Sequence, residues 1–353
     1  MALAGDRPAK QLLGKTLDGG WHVTEMLQAL PCATGGHFSQ SYIVRSDTGE
    51  TAFLKALDYV EALTSIDPPP SLALLALTEA YSFERRLVEK CGRGMDRVVR
   101  GLASGTIRMD SGPSGVVEYL IFERADGDVR AHLASVAQIE LTWILKCLHH
   151  VATGLMQLHS VGIAHQDLKP SNVLVFERTI SKIGDLGRAA YLGTAGPYDE
   201  NDCAGDLTYA PPEVLYGFRA PEWRERRFGC DLYLLGSLVV FFFSGLGMTG
   251  LLMNELAEPH RWRNWDGSFA EVLPYLRDAF SKVLVKLEQS HIPKTRIGAS
   301  IKVLITELCD PDPAQRGDPK NLELRFKSPL SLERYVSRLD LLAKRAEVEL
   351  RNS

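Results

Sequence analysis

The sequence predicts an α+β protein with a small strand-rich lobe followed by a larger, mainly helical lobe. Between residues 21 and 56, apolar and polar residues alternate and are interrupted by turn residues, as in half-buried strands. Over residues 141–159 the apolar positions recur at helical spacing, and residues 232–253 contain no charged side chain. We therefore expect a first lobe over residues 15–123, with one helix beside its strands, and a second lobe over residues 124–325.

The composition is that of an ordinary soluble globular chain. The 353 residues are 45% hydrophobic and 24% charged, which is enough to form substantial cores in two lobes. The formal net charge of -4 argues against a dedicated nucleic-acid binder, so we expect no nucleic-acid partner. The six cysteines lack paired metal-ligand spacing, and residues 1–13 lack an apolar core of signal-peptide length. Reduced thiols and a cytoplasmic location are therefore expected.

The uncharged stretch 232–253 is long enough to span a bilayer. Asp231 immediately before it, Gly236 within it and glycines at 245, 247 and 250 favour instead a buried helix of a soluble lobe, ending near Ser244. A true span would also separate the polar motifs on either side of the membrane. We expect no membrane span.

The first lobe contains a lysine that needs a partner. Strands are predicted at residues 21–27, 41–44 and 51–56, and the last of them places Lys55 among apolar neighbours. Glu84, in the amphipathic stretch 72–88, is the preferred partner. Glu79 is the alternative, although it leaves a long gap before the next strand, expected at 97–100. The functional interpretation is that Lys55 contacts nucleotide phosphates while paired to a helix glutamate.

The second lobe carries the residues that phosphoryl transfer requires. The segment 165–172 reads His-Gln-Asp-Leu-Lys-Pro-Ser-Asn, and Asp185 follows thirteen residues after Asn172. Asp167 can accept a hydroxyl proton and Lys169 can neutralise the migrating phosphoryl group. Asn172 and Asp185 can hold magnesium. The alternative is a solvated loop between helices, which the apolar runs leading out of Asn172 and into Asp185 disfavour because they predict a hairpin.

Together with residues 158–165 and the Asp185-Leu186-Gly187 triplet, this segment resembles the eukaryotic-type (Hanks-type) serine/threonine protein kinases, over roughly residues 20–320. The departures described below look closer to bacterial members of that family. The resemblance implies a bilobal kinase fold, ATP and Mg²⁺ as cofactors (Mn²⁺ as an alternative ion), and protein substrates, including the chain itself through autophosphorylation.

The resemblance also assigns nucleotide contacts. Residues 34–42 align with the family's glycine-rich loop, where Gly36 keeps a signature glycine and Phe38 lies near the loop tip. The backbone groups of Glu123 and Ala125 would bind adenine, and Asp128 would lie near the ribose or a basic substrate residue. Only one glycine of the pattern remains, so the approach of backbone N–H groups to the phosphates is restricted.

A substrate platform is the next implication of the resemblance. In the family, the glutamate that closes the segment after the metal-binding aspartate pairs with a distant arginine, and Glu213 and Arg316 match these positions. Asp231 matches the opening of the buried helix. The two motifs together argue against the small-molecule kinases, which share only the aspartate–asparagine–aspartate layout.

Three residues depart from the family pattern. Gln166 replaces an arginine that reads an activating phosphate, so we expect any activity to be independent of phosphorylation there. Leu186 replaces a phenylalanine and should still fill an apolar slot. Asp206 stands where a threonine bonds the catalytic aspartate and lysine. Its carboxylate either holds Lys169 more tightly or raises a neighbouring pKa, and the sequence leaves both open.

The expected function is transfer of the γ-phosphoryl group of ATP to serine or threonine hydroxyls. A pseudokinase that binds nucleotide or partners is the alternative, supported by the eroded phosphate loop, Gln166 and Asp206. The complete metal and proton-transfer set argues against it. Residues 326–353 predict a terminal helix with one apolar stripe, which we expect to pack on the second lobe rather than bind a partner.

Overall fold

The computed structural model describes residues 7–28, 39–64, 68–109, 115–136, 139–199, 204–323 and 328–352. The chain divides into two compact units, Met1–Asp126 and Gly127–Ser353. Strands dominate the first and helices the second, so the predicted α+β class is confirmed.

The first unit is built on one antiparallel sheet, with the strands in the order β1-β2-β3-β4-β6-β5. Two helices accompany it, rather than the one predicted, because a short helix precedes the long one. Residues 97–100 form no strand; the strand begins at Gly101. The elements are β1 (Thr16–Leu17), β2 (Trp21–Met26), β3 (Ser39–Ser46), β4 (Thr51–Leu57), α1 (Val60–Thr64), α2 (Pro70–Cys91), β5 (Gly101–Arg108) and β6 (Val116–Glu123).

Side-chain alternation along β4 and β6 gives the sheet two different faces. On one face Leu54 and Ile121 belong to the main core of the unit. On the other face Leu120 packs with Tyr81 of α2. Lys55 follows Leu54 and therefore points to the side of the sheet that α2 covers.

The second unit is mainly helical, and its described residues include two small sheets, one of three strands and one of two strands. The hairpin predicted after Asn172 is present as β9 paired antiparallel with β10. The elements are β7 (Gly127–Asp128), α3 (Val129–Ser135), α4 (Leu141–Ser160), β8 (Ile163–Ala164), β9 (Val173–Phe176), β10 (Ile180–Ile183), β11 (Ala190–Tyr191), α5 (Pro212–Leu215), α6 (Trp223–Ser244), α7 (Met248–Glu255), α8 (Phe269–Ser290), α9 (Arg296–Leu308) and α10 (Glu333–Asn352).

Helix α6 forms the centre of this unit and begins at Trp223, eight residues before Asp231 rather than at it. It is the one helix of the described residues that is long and apolar enough to cross a membrane, and 78% of its most apolar window is buried inside the protein. A Cβ on Gly236 would lie 2.4 Å from the Cys309 Sγ atom and 2.7 Å from the Leu308 Cβ atom. The glycine thus allows α6 to pack closely against the end of α9.

The terminal helix α10 packs against α4 and α9 of the same unit. Its buried residues Tyr335, Leu339, Leu342, Ala343 and Ala346 form the contact stripe, whereas Leu350 is exposed. The stripe therefore ends before the last turn of the helix.

Candidate active site

In the first unit, Lys55 and Glu84 form an ion pair. The Lys55 Nζ atom donates to Glu84 Oε1 at 2.9 Å and to Oε2 at 3.0 Å. Glu84 lies within the buried stripe of α2 and is only 6% exposed. The alternative residue, Glu79, is exposed. Each group compensates the charge of the other at a position where either alone would be costly to bury.

In the second unit, the fully buried Asp231 anchors the start of the catalytic segment. Its Oδ2 atom accepts from the backbone N–H of His165 at 2.8 Å and lies 2.8 Å from His159 Nε2. Its Oδ1 atom accepts from the backbone N–H of Gln166 at 2.8 Å. Gln166 has a φ of 66°, which an L-residue holds only where surrounding bonds enforce it. The carboxylate on α6 thus fixes the turn that presents Asp167.

Asp167, Lys169 and Asn172 form one buried cluster. The Asn172 Nδ2 group donates to Asp167 Oδ2 at 3.0 Å, and Lys169 Nζ lies 3.1 Å from the same oxygen. The backbone N–H of Asp206 donates to Asp167 Oδ1 at 3.0 Å. These three donors occupy three of about four lone-pair positions of a carboxylate, so Asp167 retains room for one further donor, such as an acceptor hydroxyl.

Asp185 is tied to this cluster through its neighbour Gly184. The Gly184 N–H donates to the Asn172 carbonyl at 2.9 Å, and His165 Nε2 donates to the Gly184 carbonyl at 2.9 Å. Asp185 itself is exposed and has a φ of 62°. A strained non-glycine residue directly after these bonds is consistent with a side chain held for function.

The structure resolves what Asp206 does. Burial alone would raise its pKa, but hydrogen bonds from the Thr208 side chain and backbone and the Lys169 charge lower that pKa below its ordinary value. Lys169 Nζ lies 3.5 Å from Asp206 Oδ2. Asp206 is therefore ionised, and Lys169 lies between two carboxylates. Of the two alternatives left open by the sequence, tighter holding of Lys169 is the one the geometry supports.

Glu213 and Arg316 meet in a buried bidentate pair. Arg316 Nη1 donates to Glu213 Oε1 at 2.6 Å and Nη2 donates to Oε2 at 2.8 Å. Arg316 also donates to the carbonyls of Gly229 and Asp310. The pair joins α5 to the segment after α9, and the Glu213 charge raises the pKa of Arg316 although burial opposes it.

The other residues that the sequence assigned to nucleotide binding lie between the end of β6 and the start of α3 or in the glycine-rich loop. The Glu123 backbone N–H donates to the Arg100 carbonyl at 3.0 Å, and Ala125 is half-buried in the link after β6. Asp128 caps α3, since its Oδ1 accepts from the backbone N–H of Ala131 at 2.8 Å. Gly36 and Phe38 lie outside the described residues.

The sequence interpretation missed two residues, Gly205 and Arg227. A Cβ on Gly205 would lie 2.3 Å from the Gln166 carbonyl oxygen. Glycine at position 205 therefore allows the chain between Asp185 and Glu213 to pack against the catalytic loop there. Arg227 hydrogen-bonds to the Gln166 side chain. The glycine before Asp206 was a usable signal, whereas nothing in the sequence near Arg227 pointed to position 166.

The donor atoms fit a divalent metal bound to a nucleotide. Among the described residues no group of three His, Cys, Asp or Glu side chains forms a self-sufficient metal site. The Asn172 Nδ2 group donates to Asp167, which leaves the Asn172 Oδ1 atom as one candidate oxygen ligand, and the exposed Asp185 carboxylate is a second candidate. A hard cation held by one or two protein oxygens plus phosphate oxygens requires this kind of incomplete site.

Comparison with known proteins places this geometry in a family context. A model of the protein kinase domain matches residues 113–323. A probable serine/threonine-protein kinase of Dictyostelium discoideum is 27% identical over 42% of the chain, and a probable cyclin-dependent serine/threonine-protein kinase of that organism is 36% identical over 36%. The aligned parts span only 17% and 9% of those two proteins.

A longer alignment relates the chain to MAP kinase-interacting serine/threonine-protein kinase 1 of Xenopus tropicalis. The two are 26% identical over 77% of this chain and 71% of that kinase. The family model itself begins at residue 113, so most of the first unit lies outside the matched residues.

Proposed function

Because this chain belongs to the protein kinase domain family, we propose that it transfers the γ-phosphoryl group of ATP to serine or threonine hydroxyls of proteins. Use of ATP with a divalent metal follows from the family. We propose Mg²⁺ as the ion, with Mn²⁺ as an alternative. The first unit would be the nucleotide-binding lobe and the second the catalytic lobe.

The observation that carries the proposal is the buried cluster of Asp167, Lys169 and Asn172, tied through Gly184 to Asp185. A metal-bound triphosphate supplies the electrophilic phosphorus and charge neutralisation. Asp167 would orient the acceptor hydroxyl and take its proton at the carboxylate. Lys169 would offset the charge of the migrating group, and Asn172 and Asp185 would hold the metal.

Two ion pairs would support this chemistry from outside the cluster. Lys55, paired with Glu84, would contact the nucleotide phosphates. Glu213 and Arg316 would hold the platform on which a protein substrate lies, which favours a protein over a small-molecule acceptor. Cys91, Cys147 and Cys309 are buried free thiols, in keeping with a proposed cytoplasmic location.

Incubation of the purified protein with γ-labelled ATP, Mg²⁺ and casein tests the proposal. We expect label on casein serine or threonine that disappears in Asp185→Asn. The control is Asp278→Asn, which removes an exposed carboxylate of α8 paired only with its neighbour Lys282 and should leave transfer unchanged. Absence of transfer by the wild type, with MgATP binding retained, would replace this proposal by the pseudokinase alternative.

A further inference from the structure

The segment that follows Asp185 contains a tight turn over residues 196–199. Asp199 closes it, because its Oδ2 accepts from the Gly196 N–H at 2.7 Å while its own N–H donates to the Gly196 carbonyl at 3.3 Å. The Arg188 guanidinium lies over the Tyr198 ring, 4.3 Å from its centroid. The turn is therefore held by side chains of the same segment, which are Asp199 within the turn and Arg188 before it.

Two arginines outside the segment bind the end of this turn. Arg219 and Arg227 each donate from Nη2 to the Asp199 carbonyl at 3.1 Å. Arg227 Nη2 also lies 3.7 Å from Asp199 Oδ1. Arg227 comes from the second turn of α6 and is only 7% exposed, and its bond to the Asp199 carbonyl is partly buried.

The same guanidinium also reaches the catalytic loop. Arg227 Nη1 donates to Gln166 Oε1 at 3.3 Å. Gln166 Nε2 donates back to the Arg227 carbonyl at 2.7 Å and to Asp231 Oδ1 at 3.1 Å. Both ends of the glutamine amide are fixed, and the next residue is Asp167. Arg227 thus bridges the segment and the residue beside the proposed catalytic carboxylate.

We infer that Arg227 is a positioning residue for phosphoryl transfer, supplying from α6 the cation that Gln166 does not carry and tethering the segment without a phosphate. This inference rests on the proposed function. The segment contacts the catalytic loop again at Gly205 and Asp206, and the Asp206 N–H donates to Asp167 Oδ1. Greater mobility of the segment would therefore disturb the position of the catalytic carboxylate.

The burial of Arg227 supports a role beyond stability. Its Nε atom has no hydrogen-bond partner within the described residues, and the one carboxylate paired with it is 27% exposed. A buried guanidinium with an unsatisfied donor is unfavourable compared with an apolar side chain of the same size. Contacts with both the segment and the loop give a functional reason for keeping it.

The test compares Arg227→Met with Arg226→Met. Arg226 is the preceding residue of α6, and within the described residues its guanidinium donates to the carbonyls of Ala220 and Pro221. In Arg227→Met we expect kcat to fall about tenfold or more with little change in KM for ATP, because the geometry of Asp167 is disturbed rather than nucleotide binding. Arg226→Met should keep both constants.

An exchange of side chains tests whether Arg227 acts through Gln166. We expect the double variant Gln166→Arg/Arg227→Gln to have a higher kcat than either single variant. The double variant keeps one guanidinium and one amide at the two paired positions, whereas Gln166→Arg has two guanidinium groups there and Arg227→Gln has two amides. Thermal melting shows which variants are folded. A double variant no better than both single ones overturns the inference, as does an Arg227→Met enzyme with wild-type kcat.

Amide hydrogen exchange of residues 204–210 and 163–172 provides a readout that needs no activity. Arg227→Met should exchange faster than wild type in both peptides, and Arg226→Met should not. If the wild type transfers no phosphate, the proposed function fails and this measurement alone decides the tether. Faster exchange then supports it, and unchanged exchange overturns it.

Discussion

Replacement of Arg316 by methionine should strongly destabilise the second unit. Arg316 is 1% exposed and Glu213 is 6% exposed, and two bonds of 2.6 and 2.8 Å join them. Loss of one partner from such a pair costs about 3–5 kcal/mol, because the other charge stays buried. The carbonyls of Gly229 and Asp310 also lose a donor, at about 1 kcal/mol each. We therefore expect a loss of about 5–7 kcal/mol.

Urea unfolding followed by tryptophan fluorescence measures this effect. Of the five tryptophans, Trp21 belongs to the first unit and the other four to the second, so the signal reports mainly on the unit that holds the pair. Glu213→Gln keeps a neutral acceptor for Arg316 and should cost less, about 2–3 kcal/mol. Arg277→Met breaks a surface pair with Asp312 and serves as the control.

The reasoning would be refuted by an Arg316→Met protein whose midpoint shift equals that of Arg277→Met with an unchanged urea slope. That result would mean that Glu213 finds another partner or water, and that the pair contributes no more than a surface ion pair.

Three further changes have expected outcomes. Lys55→Met should lower transfer and autophosphorylation by about 10²–10³-fold, measured with labelled ATP, whereas Lys15→Met, at an exposed position, should not. Asp206→Asn should raise kcat a few-fold, because one of the two carboxylates that offset the Lys169 charge is removed; an unchanged or lower kcat contradicts this. Burial raises the pKa of Asp318, but hydrogen bonds and charges from α10 lower it overall, so its stabilisation is present above 3.8 and is lost as the pH falls through the folded-state pKa. In Asp318→Asn, the slope of the unfolding free energy against pH between about pH 5 and pH 3 should therefore be smaller. The decrease corresponds to up to about one proton taken up on unfolding.

Residue types at short spacing predicted much of the site from the sequence alone. The catalytic segment and Asp185 are separated only by a hairpin, so local order brings Asn172 and Gly184 together. The Lys55 and Glu84 pair was also predictable, because a buried ammonium in a strand requires a carboxylate on the helix that covers it.

Features that depend on long-range packing were not predictable. We placed the start of α6 at Asp231, because a run of charged residues such as the one before it usually lies on an exposed surface. The helix instead begins at Trp223, and Arg227 in that run is buried and bonds to Gln166 and Asp199. Residues 97–100 were predicted as a strand but belong to none, since Val98 forms only an isolated bridge and the Arg100 carbonyl accepts from the Glu123 N–H at the end of β6. The role of Asp206 was left open because its pKa depends on burial and on where Thr208 and Lys169 lie relative to its carboxylate.

The most direct test of the account is phosphate transfer by Asp167→Asn, measured beside MgATP binding by calorimetry. Asparagine keeps the size of the side chain and can still accept from Asp206, but it takes no proton from an acceptor hydroxyl. The account predicts wild-type transfer to serine or threonine, a loss of about 10²-fold or more in the variant, and similar MgATP affinity in both proteins. Equal transfer by the two proteins would contradict the role of Asp167 and with it the proposed mechanism.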